Sequence, residues 1–235
     1  MAPLAYWAAR FVAEGFREPT LDPDRSAAIA VALTGEMDRM ASDGVEGARL
    51  LLGTARRIVT LSWSSTVLSL LAGGLPRSTP VLVGESRPLN EGRMTAERLA
   101  SAMFRVTVVT DAALSGSLAD GDILLIGADT ILPDGGVVNK SGSYPAALAA
   151  REAGVPLWVA ADTAKIAPVG SHPRHEEGNP SHVWLDHPGL CRNPVFETVP
   201  ARLVTGYLTE RGAVGRAEIE READRTARLL RLLEA

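Results

Sequence analysis

Cysteine and lysine are both scarce in this chain of 235 residues. Cys191 is the single cysteine, so a disulfide framework is excluded and a reducing, cytoplasmic location is expected. The 24 basic residues include only two lysines, Lys140 and Lys165, and arginine fills the other basic positions. Because a compact ammonium and a planar guanidinium are not interchangeable in a tight site, the two lysines are candidates for positions that require this side chain.

Long apolar runs are also lacking. No stretch reaches the roughly 18 apolar residues that a membrane helix needs, and the N-terminal segment lacks the charged and apolar regions of a signal peptide. The net charge of −4 gives no support for nucleic-acid binding. We therefore expect no membrane association and no direct contact with nucleic acid. The hydrophobic share of 46% instead favours a globular protein with a sizeable core.

Residues 1–53 are predicted to be helical. A first short helix is followed by a second, for which Asp24 and Ser26 are the candidate N-caps. Gly44 is predicted to end this second helix, and a third short helix is expected over 45–52.

Short apolar runs then alternate with helical segments from residue 57 onward. Continuous apolar strands separated by helices indicate a parallel sheet that is covered on both faces. The predicted strands are 57–62, 80–84, 105–110, 122–127 and 156–160, with a hairpin-like excursion at Val137 and Val138. The predicted fold class is α/β, a Rossmann-like, doubly wound, mostly parallel sheet preceded by a short N-terminal helical domain.

Three units are predicted along the chain. Residues 1–53 form the N-terminal helical domain, 54–213 the Rossmann-like ligand-binding domain, and 214–235 a C-terminal amphipathic helix. The apolar stripe of that helix consists of Ile219, Ala223, Ala227, Leu230 and Leu233.

The candidate binding residues follow the predicted strands. Neither a GxGxxG nor a P-loop motif is present, so a dinucleotide or P-loop nucleotide site has no local support. Ligands of open α/β sheets bind outside the carboxyl ends of the strands, where this chain is strongly polar. Ser62, Ser64 and Ser65 stand at the first such turn. They could offer hydroxyl and backbone N–H groups to an anion, or they could form an ordinary helix N-terminus.

Three segments at these strand ends, taken together, resemble one known family. They are ESRP at 85–88, GAD at 127–129 and NKSGSY at 139–144, and CRNPVFE follows at 191–197. In order and spacing they resemble the translation initiation factor 2B alpha/beta/delta family over about residues 57–210. That family includes methylthioribose-1-phosphate isomerase, ribose-1,5-bisphosphate isomerase and the regulatory subunits of the factor. The resemblance implies a helical N-terminal domain, a Rossmann-like domain and a site at the strand ends.

The resemblance also implies catalytic positions. The isomerases use an aspartate and a cysteine, and these map onto Asp129 and Ser62. A desolvated carboxylate can have its pKa raised for proton transfer between carbons, whereas Asp129 could instead cap the next turn. A hydroxyl is far less acidic than a thiol and needs an adjacent base. Ser62 therefore makes the segment more similar to the regulatory subunits.

The substrate-binding set that the resemblance implies is polar and mixed in charge. Lysine suits a phosphate or sugar oxygen as a point charge, and Arg87 could bind an anion bidentately or form a salt bridge with Glu85. Glu91 stands where the isomerases carry a glutamine and adds a negative charge. An Arg-Gly-Ala segment that closes over the phosphate in the isomerases is missing from residues 1–53. The implied set is Ser64, Ser65, Arg87, Glu91, Asn139, Lys140 and Lys165.

All four histidines and the cysteine fall within twenty residues. They are His172, His175, His182, His187 and Cys191. The segment could hold a metal ion, but it lacks paired ligands at helical or CxxC spacing. Solvated loop histidines are the simpler interpretation, and we expect neither a metal nor a cofactor.

Two main functional hypotheses follow from the resemblance. The first is a sugar-phosphate-binding protein that acts as an aldose–ketose isomerase. The second is a non-catalytic protein, similar to the regulatory subunits of translation initiation factor 2B, that senses a phosphorylated metabolite or nucleotide. A metal-dependent protein built on the histidine segment is a third. The partner expected in both main cases is a phosphorylated small molecule, and the family implies a homodimer through the Rossmann-like domain.

Overall fold

A computed structural model of the chain describes residues 2–17, 22–173 and 175–233. Within these ranges the α-helices are α1 (Ala2–Gly15), α2 (Pro23–Leu52), α3 (Ser65–Gly74), α4 (Glu91–Ser101), α5 (Asp111–Gly116), α6 (Ser143–Glu152) and α7 (Arg216–Leu230). The strands are β1 (Arg57–Leu61), β2 (Pro80–Gly84), β3 (Arg105–Val109), β4 (Asp122–Gly127), β5 (Thr130–Ile131), β6 (Val137–Lys140), β7 (Leu157–Ala160), β8 (Phe196–Val199), β9 (Gly206–Thr209) and β10 (Gly212–Val214).

A seven-stranded sheet forms the centre of the molecule. Its order is β10-β9-β7-β4-β1-β2-β3, and every pair is parallel except the antiparallel pair of β9 and β10. The hairpin-like excursion after β4 forms a second sheet, with β5, β6 and β8 in antiparallel pairing. The predicted Rossmann-like, mostly parallel α/β class is confirmed.

The two faces of the large sheet bury separate apolar cores. Consecutive strand residues point to opposite faces, so Ile58 joins one core and Val59 the other. The core that contains Ile58 includes residues of α2, α3 and α4, and the core that contains Val59 includes residues of α5, α6 and α7. Burial of this apolar surface on both faces is the main force that holds the layers together.

Helix α2 corrects one prediction from the sequence. It runs without interruption over thirty residues, so the predicted end at Gly44 and the separate third helix are wrong. A β-carbon at position 44 would lie 3.3 Å from the Thr209 carbonyl oxygen, and one at position 47 would lie 2.5 Å from the Gly212 α-carbon. The two glycines are therefore explained by close packing of α2 on the turn between β9 and β10.

The start of α2 also differs from the prediction. The carboxylate of Asp22 accepts a hydrogen bond from the Arg25 backbone N–H at 2.8 Å, so Asp22 is the N-cap rather than Asp24 or Ser26. Pro23 occupies the first helical position, where its missing N–H costs nothing.

The terminal helices pack on the same molecule. Helix α1 contacts α2, α7 and the turn Thr163–Lys165 that follows β7. On α7, Ile219 and Ala223 are fully buried as the stripe predicts, while the Leu233 side chain lies outside the described residues. No described helix combines the length and apolar character needed to cross a membrane. The division at residues 53 and 213 stays a prediction.

Candidate functional site

The candidate site lies where the strand order of the large sheet reverses. From β1 the chain continues through β2 and β3 on one side, whereas β4, β7 and β9 lie on the other side. A crevice opens at such a reversal, outside the carboxyl ends of the two strands that flank it. Here these ends are Ser62, after β1, and Ala128 and Asp129, after β4. A β-carbon on Gly127 would lie 2.6 Å from the Ser64 Oγ, so glycine allows the two turns to approach closely.

Asp129 follows β4 at the edge of the crevice, and its side chain is exposed. Its backbone N–H donates to the Val138 carbonyl at 3.0 Å, which fixes the residue between β4 and β6. The side chain reaches solvent, and no described residue donates a hydrogen bond to its carboxylate. Partial desolvation raises the pKa of Asp129 above its ordinary value, although the nearby charges of Lys165 and Lys140 act to lower it. The capping role considered as an alternative therefore has no hydrogen bond to support it within the described ranges.

Both lysines lie within electrostatic reach of Asp129. The Lys165 Nζ donates to the Ala128 carbonyl at 2.8 Å and so lies beside the residue that precedes Asp129. Lys140 is buried, and its Nζ forms a close ion pair with Oε1 of Glu91. The structure thus places Lys140 and Lys165 near Asp129, and Glu91 against Lys140.

Asn139 supports the start of helix α6. It is buried, and its amide donates to the Ser143 Oγ at 2.9 Å. The Ser143 hydroxyl in turn donates to the Lys140 carbonyl at 2.7 Å, so these contacts fix the backbone that carries Lys140.

Sequence reasoning assigned no role to Glu197. Its Oε1 accepts hydrogen bonds from the backbone N–H groups of Gly142 and Tyr144, both at 2.7 Å. A carboxylate of the protein therefore occupies the anion position at the N-terminus of α6. Only the approach of β8 to β6 reveals this role, because Glu197 is 55 residues away from Gly142 in the chain.

The serine turn is well ordered by its neighbours. Ser62 has a left-handed backbone with φ of 61°, which is uncommon outside glycine. Its N–H donates to the Ser86 Oγ at 2.7 Å, and the Thr95 hydroxyl donates to its carbonyl at 2.7 Å. Ser64 is the N-cap of α3 and Ser65 its exposed first residue. No described residue forms a hydrogen bond with the Ser62 hydroxyl, so no base is in place to activate it.

Asp111 fixes the loop that carries Arg87. Its two carboxylate oxygens accept from the backbone N–H groups of Ser86 at 2.8 Å and Arg87 at 2.7 Å. The Arg87 guanidinium is exposed and donates to the Val183 carbonyl at 3.2 Å. Glu85 pairs with Arg93 instead, so the alternative of a salt bridge between Arg87 and Glu85 is wrong.

The histidine segment remains largely solvated. All four histidines are exposed, and the His187 ring packs edge-on against Trp184 with centroids 4.3 Å apart. Within the part of the chain that the structure describes, no group of three or more His, Cys, Asp or Glu side chains is placed to hold a metal ion.

Known proteins resemble this chain both in sequence and in fold. A ribose 1,5-bisphosphate isomerase of Haloferax volcanii is 38% identical over 140 residues, which cover 56% of this chain and 43% of the relative. A methylthioribose-1-phosphate isomerase of Pelotomaculum thermopropionicum is 34% identical over 205 residues, which cover 75% of this chain and 54% of the relative. The chain spans about half the length of the curated relatives it matches.

Solved structures agree with the fold. The translation initiation factor eIF-2B of Pyrococcus horikoshii OT3 superposes with a TM-score of 0.76 at 29% identity, covering 91% of this chain and 76% of that one. The 5-methylthioribose 1-phosphate isomerase of the same organism has a TM-score of 0.70 at 22% identity, covering 97% and 70%, and supports the fold alone. A sequence profile of the Initiation factor 2 subunit family matches residues 36–215. The chain belongs to this family.

Proposed function

We propose that the crevice binds a sugar phosphate and that the chain interconverts its aldose and ketose forms. The observation that carries this proposal is the Asp129 carboxylate, which lies within electrostatic reach of two lysines, has no hydrogen-bond donor among the described residues, and has a raised pKa. The similarity to two sugar-phosphate isomerases supports the same substrate class.

The chemistry requires one proton to move between neighbouring carbon atoms. Asp129 takes the proton from the hydroxyl-bearing carbon and returns it to the former carbonyl carbon, while a proton passes between the two oxygens. A raised pKa suits a group that must both accept and donate a proton near neutral pH. The ammonium group of Lys165, which lies beside the residue that precedes Asp129, favours the negative charge that develops on the enediolate oxygens.

Binding of the phosphate is assigned to the serine turn. Within the described part of the chain, no carboxylate lies in the first turn of α3, at Ser64 and Ser65, whereas Glu197 already occupies the N-terminus of α6. Backbone N–H groups and a helix dipole favour an anion at such a turn. We assign the exposed Arg87 to the same anion, and Asn139 to the support of Lys140.

The test is phosphorus NMR of the purified protein with ribose 1,5-bisphosphate, methylthioribose 1-phosphate and a panel of pentose monophosphates. We expect new ketose-phosphate resonances, and a fall in rate of about 100-fold or more in Asp129→Asn with ligand binding retained. Asp120→Asn is the matched control, because Asp120 is exposed and precedes β4 at its opposite end. An unchanged rate in Asp129→Asn would remove Asp129 from the mechanism.

A non-catalytic ligand sensor is the second candidate. The unassisted Ser62 hydroxyl favours it, because a serine in place of a thiol needs a neighbouring base. Shifted or broadened substrate resonances without product would identify this function. A response to nucleotides alone would exclude sugar phosphates as the ligand.

We further propose that the chain acts in the cytoplasm as a homodimer formed through residues 54–213. The family resemblance supports this arrangement, as does the open edge of β3 at one end of the large sheet. Light scattering should give twice the 24.8 kDa of one chain, and a monomeric mass at working concentration would contradict the proposal.

A further inference from the structure

The ion pair between Lys140 and Glu91 joins the end of β6 to the first turn of α4. The Lys140 side chain is only 8% exposed and that of Glu91 20%. A buried ammonium needs a nearby negative charge, and Glu91 provides it. The pair is also close enough to Asp129 for Lys140 to influence the pKa of that carboxyl group. It therefore belongs to the wall of the crevice.

Two hydrogen-bond acceptors beside this pair are unused. The Glu91 Oε2 and the neighbouring Asn90 Oδ1 are both buried, and neither has a hydrogen-bond donor among the described residues. Asn90 adopts a left-handed backbone with φ of 59° as it leads into α4. Buried acceptors without donors are uncommon in folded proteins and call for a partner. The unused Glu91 Oε2 in particular, on the carboxylate that pairs with Lys140, matches a ligand that donates hydroxyl protons.

The charge at this corner argues against a phosphate. Glu91 neutralises Lys140, and a phosphate oxygen that approached the ammonium would meet the carboxylate of Glu91 as well. A hydroxyl group meets no such repulsion, because it can donate to Glu91 and accept from Lys140. The same two side chains therefore discriminate between a hydroxyl and an anion.

We propose that Glu91 is a specificity-determining residue that makes the Lys140 corner bind ligand hydroxyl groups and exclude phosphate. This proposal rests on the proposed function for the identity of the ligand as a sugar phosphate. It restricts that class to sugars with a single phosphate, held at the serine turn, and with free hydroxyls at the opposite end. Glu91→Gln leaves the shape of the side chain almost unchanged but removes its charge, so Lys140 becomes available to an anion.

Because the chain has only two lysines, the effect of Glu91 on phosphate binding at Lys140 can be measured directly. Incorporation of carbon-13-labelled lysine gives signals from only two side chains, and Lys165→Arg assigns them. Titration with inorganic phosphate at low ionic strength should leave the Lys140 signal of the native protein in place. In Glu91→Gln the Lys140 signal should shift, with phosphate binding at least about tenfold tighter because one like charge is gone. Glu97→Gln, an exposed change of the same charge on α4, should behave like the native protein.

Either of two results would overturn the proposal: a Lys140 signal that shifts equally in the native protein, or one that does not shift in Glu91→Gln. If Glu91→Gln does not fold, Glu91→Asp retains the charge and should still exclude phosphate, so a Lys140 signal that shifts with phosphate in that variant would also refute the proposal. Competition between ribose 5-phosphate and ribose 1,5-bisphosphate gives the second readout, with preference moving from the monophosphate to the bisphosphate in Glu91→Gln. A native protein that binds neither sugar would refute the proposed function, while the lysine signals would still decide the role of Glu91.

Discussion

The ionisation of Asp129 links the candidate chemistry to the stability of the fold. Because its pKa is higher in the folded protein than its ordinary value of 3.8, the folded state binds more protons between the two values. Stability is therefore lost as the pH rises through that window, and the loss is complete above the folded-state pKa. A charged carboxylate that lacks a hydrogen-bond donor is consistent with this cost.

Asp129→Asn should accordingly raise the melting temperature at neutral pH, because the neutral amide avoids the desolvation of a charge. The gain should shrink as the pH falls through the folded-state pKa towards 3.8, and it should vanish below 3.8, where Asp129 is protonated in the folded and the unfolded protein alike. Calorimetric melting between pH 3.5 and pH 8 measures it, with Asp120→Asn as the exposed control. A gain that is the same at every pH would show that the charge of Asp129 is not its cause.

Individual residues of the site were predictable to different degrees. The two lysines could be singled out because arginine fills every other basic position, and both lie near Asp129. The pairing of Lys140 with Glu91 was not predictable, since it depends on the distance between the ends of α4 and β6. The alternative salt bridge between Arg87 and Glu85 was also wrong, because Glu85 pairs with Arg93 instead. Local sequence shows the type of a side chain but not its neighbour across the sheet.

At the scale of elements, the glycines of α2 offer a matched pair for testing the packing of the long helix. Gly47→Ala should destabilise the protein by about 1–3 kcal/mol, because its β-carbon would lie 2.5 Å from the Gly212 backbone and force the helix off the sheet edge. Gly35→Ala should instead stabilise by about 0.5–1 kcal/mol, since among the described residues only the Arg39 guanidinium lies near, and alanine favours a helix. Urea unfolding gives both values, and equal effects at the two positions would contradict this view of α2.

The strands of the parallel sheet followed the sequence closely, whereas helix boundaries did not. A run such as DILLIG is apolar throughout, and β4 has the predicted bounds. Helix α4 begins at Glu91, between Asn90 and Gly92, which are residue types typical of a turn. Gly92 is explained only by tertiary contact, as a β-carbon there would lie 1.8 Å from the Gly84 carbonyl oxygen. Close approach between elements therefore decides what these glycines mean.

At the scale of the whole molecule, the part of the chain between β7 and β8 bridges the crevice, and we call it the bridging segment. Near the start of this segment, the Ala167 N–H donates to the Ile131 carbonyl of β5 at 2.8 Å. Further along it, the Val183 carbonyl accepts from Arg87, which lies beyond the end of β2. Strands β4 and β1 lie between β7 and β2, so the segment passes the strand ends that carry the candidate site. The negative charge of Glu176, in the same segment, contributes to the raised pKa of Asp129.

This arrangement predicts that ligand binding and the bridging segment are coupled through Arg87. A sugar phosphate in the crevice should slow amide hydrogen exchange around residue 183 more than exchange in α7. In the absence of ligand, Arg87→Ala should speed exchange there by several fold, because the hydrogen bond that joins the segment to the β2 end is lost. Arg98→Ala, an exposed change on α4, is the control and should leave exchange unaltered.

Exchange in the ligand-free protein is the decisive readout, since an arginine that served only to bind substrate would not change it. Identical rates in the Arg87 and Arg98 variants would mean that the segment is held independently of Arg87, and that any loss of affinity in Arg87→Ala reflects direct contact with the anion.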